Sequence, residues 1–366
     1  MLSKAKRFIG NTQLHHEDGS KSRIRQLWEI LLLAISHRFS PVEYEAYGFF
    51  QKKKDRACMR TYLSNYEVTV KVRRPLYDKT FLLILNNKLI FNRFFSSFGL
   101  PLPKLYGFLN PQSGFRPAGT PLRTRREFSA WLSETDEKQM FVRPVGGLQG
   151  SSILAIKDIK DEQLICEGGP GREWTAEGLY DYLLADTSPQ YFRGFLFEEL
   201  VKQHPQLTKL NPSSVNTCRI LTIKRKDASI EVPMAYFRIG RKGSVVDNFS
   251  QGGVAAGVNM ETGLLKRGTL NPRKGLTWTS SHPDSGTAIE GFQIPYWEEA
   301  KKLAARAAAV IPGIRTVGWD VAITAGGPLL IEGNSSWNPI TMQQANEGLL
   351  TPTIREIFGE YGLKLR

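Results

Sequence analysis

Cysteine is scarce. Cys58, Cys166 and Cys218 are the three in 366 residues, far apart and without a CxxC spacing. That argues against a disulfide framework or a zinc site and fits a reducing cytoplasm. Cys218 lies in a strand-like run and reads as a core thiol. Histidine numbers five, and His282, in HPDSG, reads as a turn residue rather than a base. No stretch supplies the ~20 mostly apolar residues of a spanning helix. The nearest, Ile24 to Phe39, is interrupted by Arg25, Gln26, Glu29 and His37. No small-residue cleavage site follows it, which sets it apart from a signal peptide. An amphipathic helix packed on the body is expected there. The alternative is peripheral contact of the basic N-terminus (Lys4, Lys6, Arg7, Lys21, Arg23, Arg25) with an anionic membrane face. There is no internal repeat, no P-loop pattern and no aromatic–basic repeat, so no nucleic-acid partner is expected.

What is present is a folded-protein composition, 41% hydrophobic and 23% charged, with a net charge of +14. A basic surface carries no single meaning by itself, and an anionic substrate is one reading. The text divides into a basic helical N-terminal extension (1–75), a helical segment with a short strand (76–138), a glycine-loop lobe (139–200) and a C-terminal lobe (201–366). Residues 80–98 read as a helix, with Leu89, Phe91, Phe94, Phe95 and Phe98 at helical spacing and Gly99-Leu100-Pro101 as its stop. Met140–Val142 and Ser151–Ile156 read as a hairpin, and Glu173–Leu184 as a helix. Phe195–Val201, Thr217–Lys224 and Glu231–Ile239 read as strands. An alanine-rich helix over Pro295–Ile311 precedes a strand pair, Thr316–Ile323 and Pro328–Ile331. The fold class is α+β.

Four constellations carry chemistry. In VGWDVAITAGGPLLIEGN, a hairpin would set Asp320 opposite Glu332 and Asn334. Acids inside apolar strands are costly without a partner, and two carboxylates with an amide oxygen are hard donors suited to Mg²⁺. In FVRPVGGLQGSSI, Gly146, Gly147 and Gly150 allow backbone amides to close over a phosphate, with Arg143 as a fixed charge beside them. A hairpin also needs glycine for steric reasons alone. The third is Asn87-Lys88, which opens a helix. The fourth is Glu198-Glu199, acids in an apolar strand that either cap an edge or face a ligand. Beside these, Asn216, Thr217 and Arg219 share one strand, Arg238 lies on the next, and Asp247 and Asn248 follow in a loop. Arginines buried on strands need an anion. That anion is either a substrate or a structural partner such as Asp247.

Taken in chain order, from the Lys88 helix ending in Gly99-Leu100-Pro101 through the glycine hairpin and Glu198-Glu199 to Asp320, Glu332 and Asn334, with SSVNTCRILTI, VDNFSQGGVAAGVN and HPDSG before the last, these motifs resemble the ATP-grasp superfamily. The closer similarity is to the bacterial sugar-transfer-associated ATP-grasp group found beside polysaccharide genes. The resemblance implies two α+β lobes clamping ATP. It places Lys88 and Arg143 on the ATP phosphates, the three glycines in the covering loop and Glu198 and Glu199 beside adenine. It makes Asp320, Glu332 and Asn334 the Mg²⁺ ligands. Two departures stand out: Asn87 where aspartate is usual, and Arg143 where lysine is usual. The implied reaction is ADP-forming. A carboxylate, small or sugar-linked, is activated as an acyl phosphate and attacked by an amine. Arg219 or Arg238 would hold the acyl oxygen or the carboxylate, with Asn216, Thr217, Asp247 and Asn248 around the substrate. The alternatives are a phosphotransferase on the same fold and a non-catalytic scaffold of a glycosyltransferase complex.

Overall fold

Alternation of period two organises most of the chain beyond residue 105. In the computed structural model, which describes residues 14–146, 153–160, 163–185, 194–247, 249, 252–270 and 277–365, it produces two antiparallel sheets. The first contains β1 (Leu105–Leu109), β2 (Met140–Pro144), β3 (Leu154–Lys160), β4 (Gln163–Glu167), β5 (Glu173–Thr175) and β6 (Phe195–Glu199), in the order β1-β6-β2-β3-β4-β5. Met140, Val142, Leu154, Ile156 and Phe197 share one face. They pack on Phe128 and Trp131 of the Arg125–Glu134 helix and on Leu179 and Leu183 of the Ala176–Ala185 helix. The expected hairpin is present, with Met140 opposite Ile156. Its turn lies outside the described residues. The helix expected from Glu173 starts only at Ala176, because Glu173–Thr175 pairs with Gln163–Ile165 as an edge strand.

The second sheet holds β7 (Thr217–Lys224), β8 (Ile230–Ile239), β9 (Val254–Val258), β10 (Leu265–Thr269), β11 (Trp278–Thr279), β12 (Thr316–Thr324) and β13 (Gly327–Asn334). Its order is β11-β10-β9-β8-β7-β12-β13. One face buries Cys218, Ile220, Phe237, Val317 and Trp319 under the Trp297–Val310 and Lys88–Ser97 helices. The opposite face buries Leu221, Ile223 and Tyr236 under Val72, Met342 and Ile354. At one end of that second face the alternation places Thr217, Arg219, Arg238 and Asp320 instead of apolar residues. The helix expected over 80–98 is broken. Asn87 adopts φ −118°, ψ 112°, and its Oδ1 accepts the Ile90 N–H at 3.0 Å, so a new helix begins at Lys88.

From Arg23 on, the described part of the N-terminal extension is mostly helical as expected, with helices Arg23–His37, Pro41–Ala46 and Arg56–Met59 and a π-helical segment Glu67–Arg73. Gln343 of the Pro339–Ala345 helix fastens this region to the sheet by donating to Tyr47 Oη (3.0 Å) and to the Leu63 carbonyl (2.9 Å). One expectation fails. The apolar side of the Arg23–His37 helix does not pack on the body, because polar side chains dictate its orientation. Gln26 donates to the His15 and Lys21 carbonyls, and Glu29 accepts from Lys21 and Tyr44. No helix among the described residues is long and apolar enough to cross a membrane.

Candidate active site

The residues of β2, β3 and β6 that do not enter their own core face a cavity of about 530 Å³, bounded on its other side by β7, β8, β12 and β13. Ten nominated residues line it: Lys88, Arg143, Glu198, Glu199, Thr217, Arg238, Asp247, Asp320, Glu332 and Asn334. Apolar walls come from Phe141, Ile153, Ala155, Leu200, Val201 and Ile331. Sequence reasoning missed these walls. The signal was available, since Phe141 and Ala155 are out of phase with the core residues on either side of them.

Arg143 is buried and held in a fork. Its Nε donates to Glu198 Oε2 at 2.5 Å and its Nη2 to Glu198 Oε1 at 3.1 Å. The same Nη2 reaches the Ile331 carbonyl at 3.4 Å. A β-bulge makes that third contact available: Asp320 pairs with Glu332 and Val321 with Leu330, so Ile331 has no partner on β12. One guanidinium therefore ties the first sheet to the second. Lys88 is tied to β2 as well, its backbone N–H donating to the Val145 carbonyl at 3.0 Å. Its ammonium has no hydrogen-bond partner among the described residues. Burial, aided by neighbouring Arg143, pulls its pKa below the usual lysine range, against the opposing pull of Glu332 and Glu198. A half-buried cation without an acceptor suits an anionic guest.

On the second sheet, Arg219 and Asp320 are cross-strand partners, as are Thr217 and Arg238. Arg219 donates from Nε to Asp320 Oδ1 and from Nη2 to Oδ2 at 2.8 Å. Arg238 donates from Nη1 to Asp320 Oδ2 at 2.6 Å, and its Nη2 lies 2.8 Å from Asp247 Oδ1. Asp247 Oδ2 in turn accepts the backbone N–H (3.0 Å) and hydroxyl (2.5 Å) of Thr217. The arginines thus have structural partners, Asp320 for both and Asp247 for Arg238 alone. Burial would push the Asp320 carboxyl up, but the two guanidiniums outweigh it and hold it at about 2. Asp247 shares its arginine with Asp320, and burial raises it.

The nominated metal ligands do converge. Glu332 faces Asp320 across the β12–β13 pair, and Asn334 Nδ2 donates to Glu332 Oε1 at 3.1 Å. Among the described residues no group of three His, Cys, Asp or Glu forms a metal cluster. Two carboxylates and an amide oxygen are nevertheless hard donors of the kind Mg²⁺ takes with phosphate and water. The arginines leave Asp320 partly committed: Oδ2 accepts two N–H bonds and Oδ1 accepts one, of about two sites each. Glu332 and Asn334 accept no guanidinium among the described residues.

Other nominated residues fall elsewhere. Asn216 is fully buried, donating to Gln203 Oε1 and the Asn211 carbonyl and accepting from Gly240. Arg219 lies behind Asp320 and does not line the cavity. Gly146 follows β2 in a bend, also off the lining. Gly147, Gly150 and Asn248 lie outside the described residues. His282 does what a turn residue does. Its Nδ1 accepts from Asp284 and Ser285, which leaves Nε2 to donate to the Gly240 carbonyl at 2.9 Å.

A family model described as sugar-transfer associated ATP-grasp matches residues 67–358. No curated protein matches the chain. Solved structures similar to it include an L-amino acid ligase from Bacillus licheniformis, with 12% identity and a TM-score of 0.41, covering 78% of this chain and 52% of that one. Others are a D-alanine-D-alanine ligase from Coxiella burnetii (9%, TM-score 0.42, 79% and 60%) and D-alanyl-alanine synthetase A from Vibrio cholerae (12%, TM-score 0.39, 76% and 63%). The chain matches only about half to two thirds of the length of these structures.

Proposed function

The chain belongs to the sugar-transfer associated ATP-grasp family and has the ATP-grasp fold, and we propose that it is an ADP-forming ligase joining a carboxylate to an amine. One observation carries this reading. A cavity between the two sheets combines an apolar wall, a lysine with no hydrogen-bond partner among the described residues beside a buried arginine, hard oxygen donors, and Arg238 anchored by two carboxylates. Phe141, Ala155, Leu200 and Ile331 offer a surface for a planar base, with Glu198 and Glu199 on the adjoining strand. Lys88 and Arg143 offset phosphate charge. Glu332 and Asn334, with the remaining capacity of Asp320, would hold Mg²⁺.

Bound Mg-ATP supplies a γ-phosphoryl group, which a substrate carboxylate takes to give ADP and an acyl phosphate that an amine then opens to an amide and phosphate. The protein's part is positional. Arg238, held between Asp320 and Asp247, presents its cation to the acid, and Arg219 holds Asp320 from behind. Thr217 fixes Asp247 in turn. Asn216, off the lining, holds the backbone next to Arg238 by accepting the Gly240 N–H. The proposed acid is a small-molecule or sugar-linked carboxylate of surface-polysaccharide or related cell-envelope metabolism, for instance a uronic acid, a reading supported by the family's association with sugar transfer. The test is ADP release screened over acid–amine pairs with mass spectrometry of the products. An amide whose formation needs both partners supports the reading. A stable phosphorylated product formed without an amine identifies a phosphotransferase instead.

A further inference from the structure

The Arg23–His37 helix is turned inside out relative to an ordinary surface helix, whose apolar stripe faces the core. Its inward contacts are made by Gln26, Glu29 and Ile30. Its outward side carries Ile24 (71% exposed), Leu27 (49%), Trp28 (61%), Leu31 (46%), Leu32 (59%) and Ile35 (70%). These positions follow the i, i+3, i+4, i+7, i+8, i+11 spacing of a single face and run for about 16 Å. Scattered exposed apolar side chains are ordinary, but a contiguous stripe marks an interaction surface.

The surrounding charge selects the occupant. Arg23 and Arg25 are exposed at the start of the helix. The turn carrying exposed Lys52 and Lys53 is fastened beside them by the Lys52 N–H to Gly19 carbonyl bond (2.8 Å) and by Lys21 Nζ donating to the Lys54 carbonyl (2.7 Å). Exposed Arg38 follows the last turn. Residues 1–60 hold twelve Lys and Arg against six Asp and Glu. Of those acids, Glu43 and Glu45 are buried and Glu29 is engaged by Lys21 and Arg25, leaving Glu17, Asp18 and Asp55 exposed. Both ends of the stripe are therefore basic. A second copy packed stripe to stripe would bring Arg23 and Arg25 against Arg38 or against themselves. An anionic lipid surface matches the apolar stripe and the cations together.

We propose that this helix lies in the interface of an anionic membrane, its apolar stripe among the acyl chains and its cations at the headgroups. The inference is independent of the ligase reading. The test is flotation of the full chain with vesicles of phosphatidylcholine, or of phosphatidylcholine and phosphatidylglycerol in equal parts. Binding is expected to the anionic vesicles and to fall at least tenfold in Leu31→Glu and Ile35→Glu, with unchanged melting temperatures. The paired Lys52→Glu, Lys53→Glu variant keeps the stripe and is expected to lose the preference for anionic vesicles. Absence of vesicle binding by the wild-type chain overturns the proposal. So does binding indifferent to Leu31→Glu, or a self-associating species that Leu31→Glu disperses while vesicles remain bare.

Discussion

Replacing Asp320 by asparagine keeps the shape of the side chain and removes one buried charge. The carboxylate it removes accepts three guanidinium N–H bonds, two from Arg219 and one from Arg238. Arg238 retains Asp247, but Arg219 has no other ion-pair partner among the described residues. Breaking a buried pair by removing one partner costs about 3–5 kcal/mol. Linkage gives a second measure. Holding the carboxyl at about 2 instead of 3.8 corresponds to about 2.5 kcal/mol of stability at neutral pH. Asp320→Asn is therefore expected to lose about 2.5–5 kcal/mol, a large share of a typical ~5–15 kcal/mol. Glu332→Gln, on the facing strand, strips no guanidinium of its partner and is expected to stay within about 1 kcal/mol of wild type. Both should abolish ADP formation. Urea unfolding followed by tryptophan fluorescence reads the first quantity and a coupled ADP assay the second. Equal stability of the two variants would refute the assignment of Asp320 as the arginine anchor. Full turnover in Glu332→Gln at saturating Mg²⁺ would refute the metal assignment.

Three other outcomes follow from the same geometry. The folded-state pKa of Asp320 lies below its unfolded value, so its contribution is present above about pH 4 and is lost as pH falls toward 2. Urea midpoints measured across that window should fall more steeply with acid in wild type than in Asp320→Asn, and parallel curves would contradict this. Ala155→Phe places a ring in the cavity and should weaken nucleotide binding at least tenfold, as read by calorimetry, with the thermal midpoint little changed. Unaltered affinity would mean the base binds elsewhere. His282→Ala removes a buried donor from the Gly240 carbonyl and should cost about 1–3 kcal/mol of stability. Turnover per folded molecule should stay within twofold, and a selective loss of kcat would restore His282 as a candidate base.

The parts legible in the sequence were those written in local periodicity. The β12–β13 hairpin sets Asp320 opposite Glu332, as twelve residues of alternating strand around Ala325-Gly326-Gly327 suggested. The Thr217–Lys224 and Ile230–Ile239 strands follow for the same reason. What sequence could not supply was the partner of each buried charge. Arg143 and Glu198 are 55 residues apart, and Arg219 and Asp320 are 101 apart, so only the sheet order joins them. The Ile24–Phe39 segment misled because its apolar spacing says that one face is apolar without saying which way that face points. There, Gln26 and Glu29 decide the orientation. The break at Asn87 was within reach, since asparagine is a strong N-cap residue. It mattered because it directs Lys88 to the cavity.

In the proposed function, one triphosphate bridges two cations brought together from separate parts of the chain. Lys88 and Arg143 are 55 residues apart in sequence. They meet because the Lys88 N–H is bonded to the Val145 carbonyl just beyond β2. The direct measurement is calorimetric affinity for a non-hydrolysable ATP analogue and for adenosine, in wild type, Lys88→Ala, Arg143→Met and the paired variant. Each single substitution is expected to weaken the triphosphate at least tenfold while adenosine affinity is preserved. The pair should lose less than the sum of the two, because both charges act on the same phosphates. Wild-type affinity for the triphosphate in both single variants would contradict that bridging.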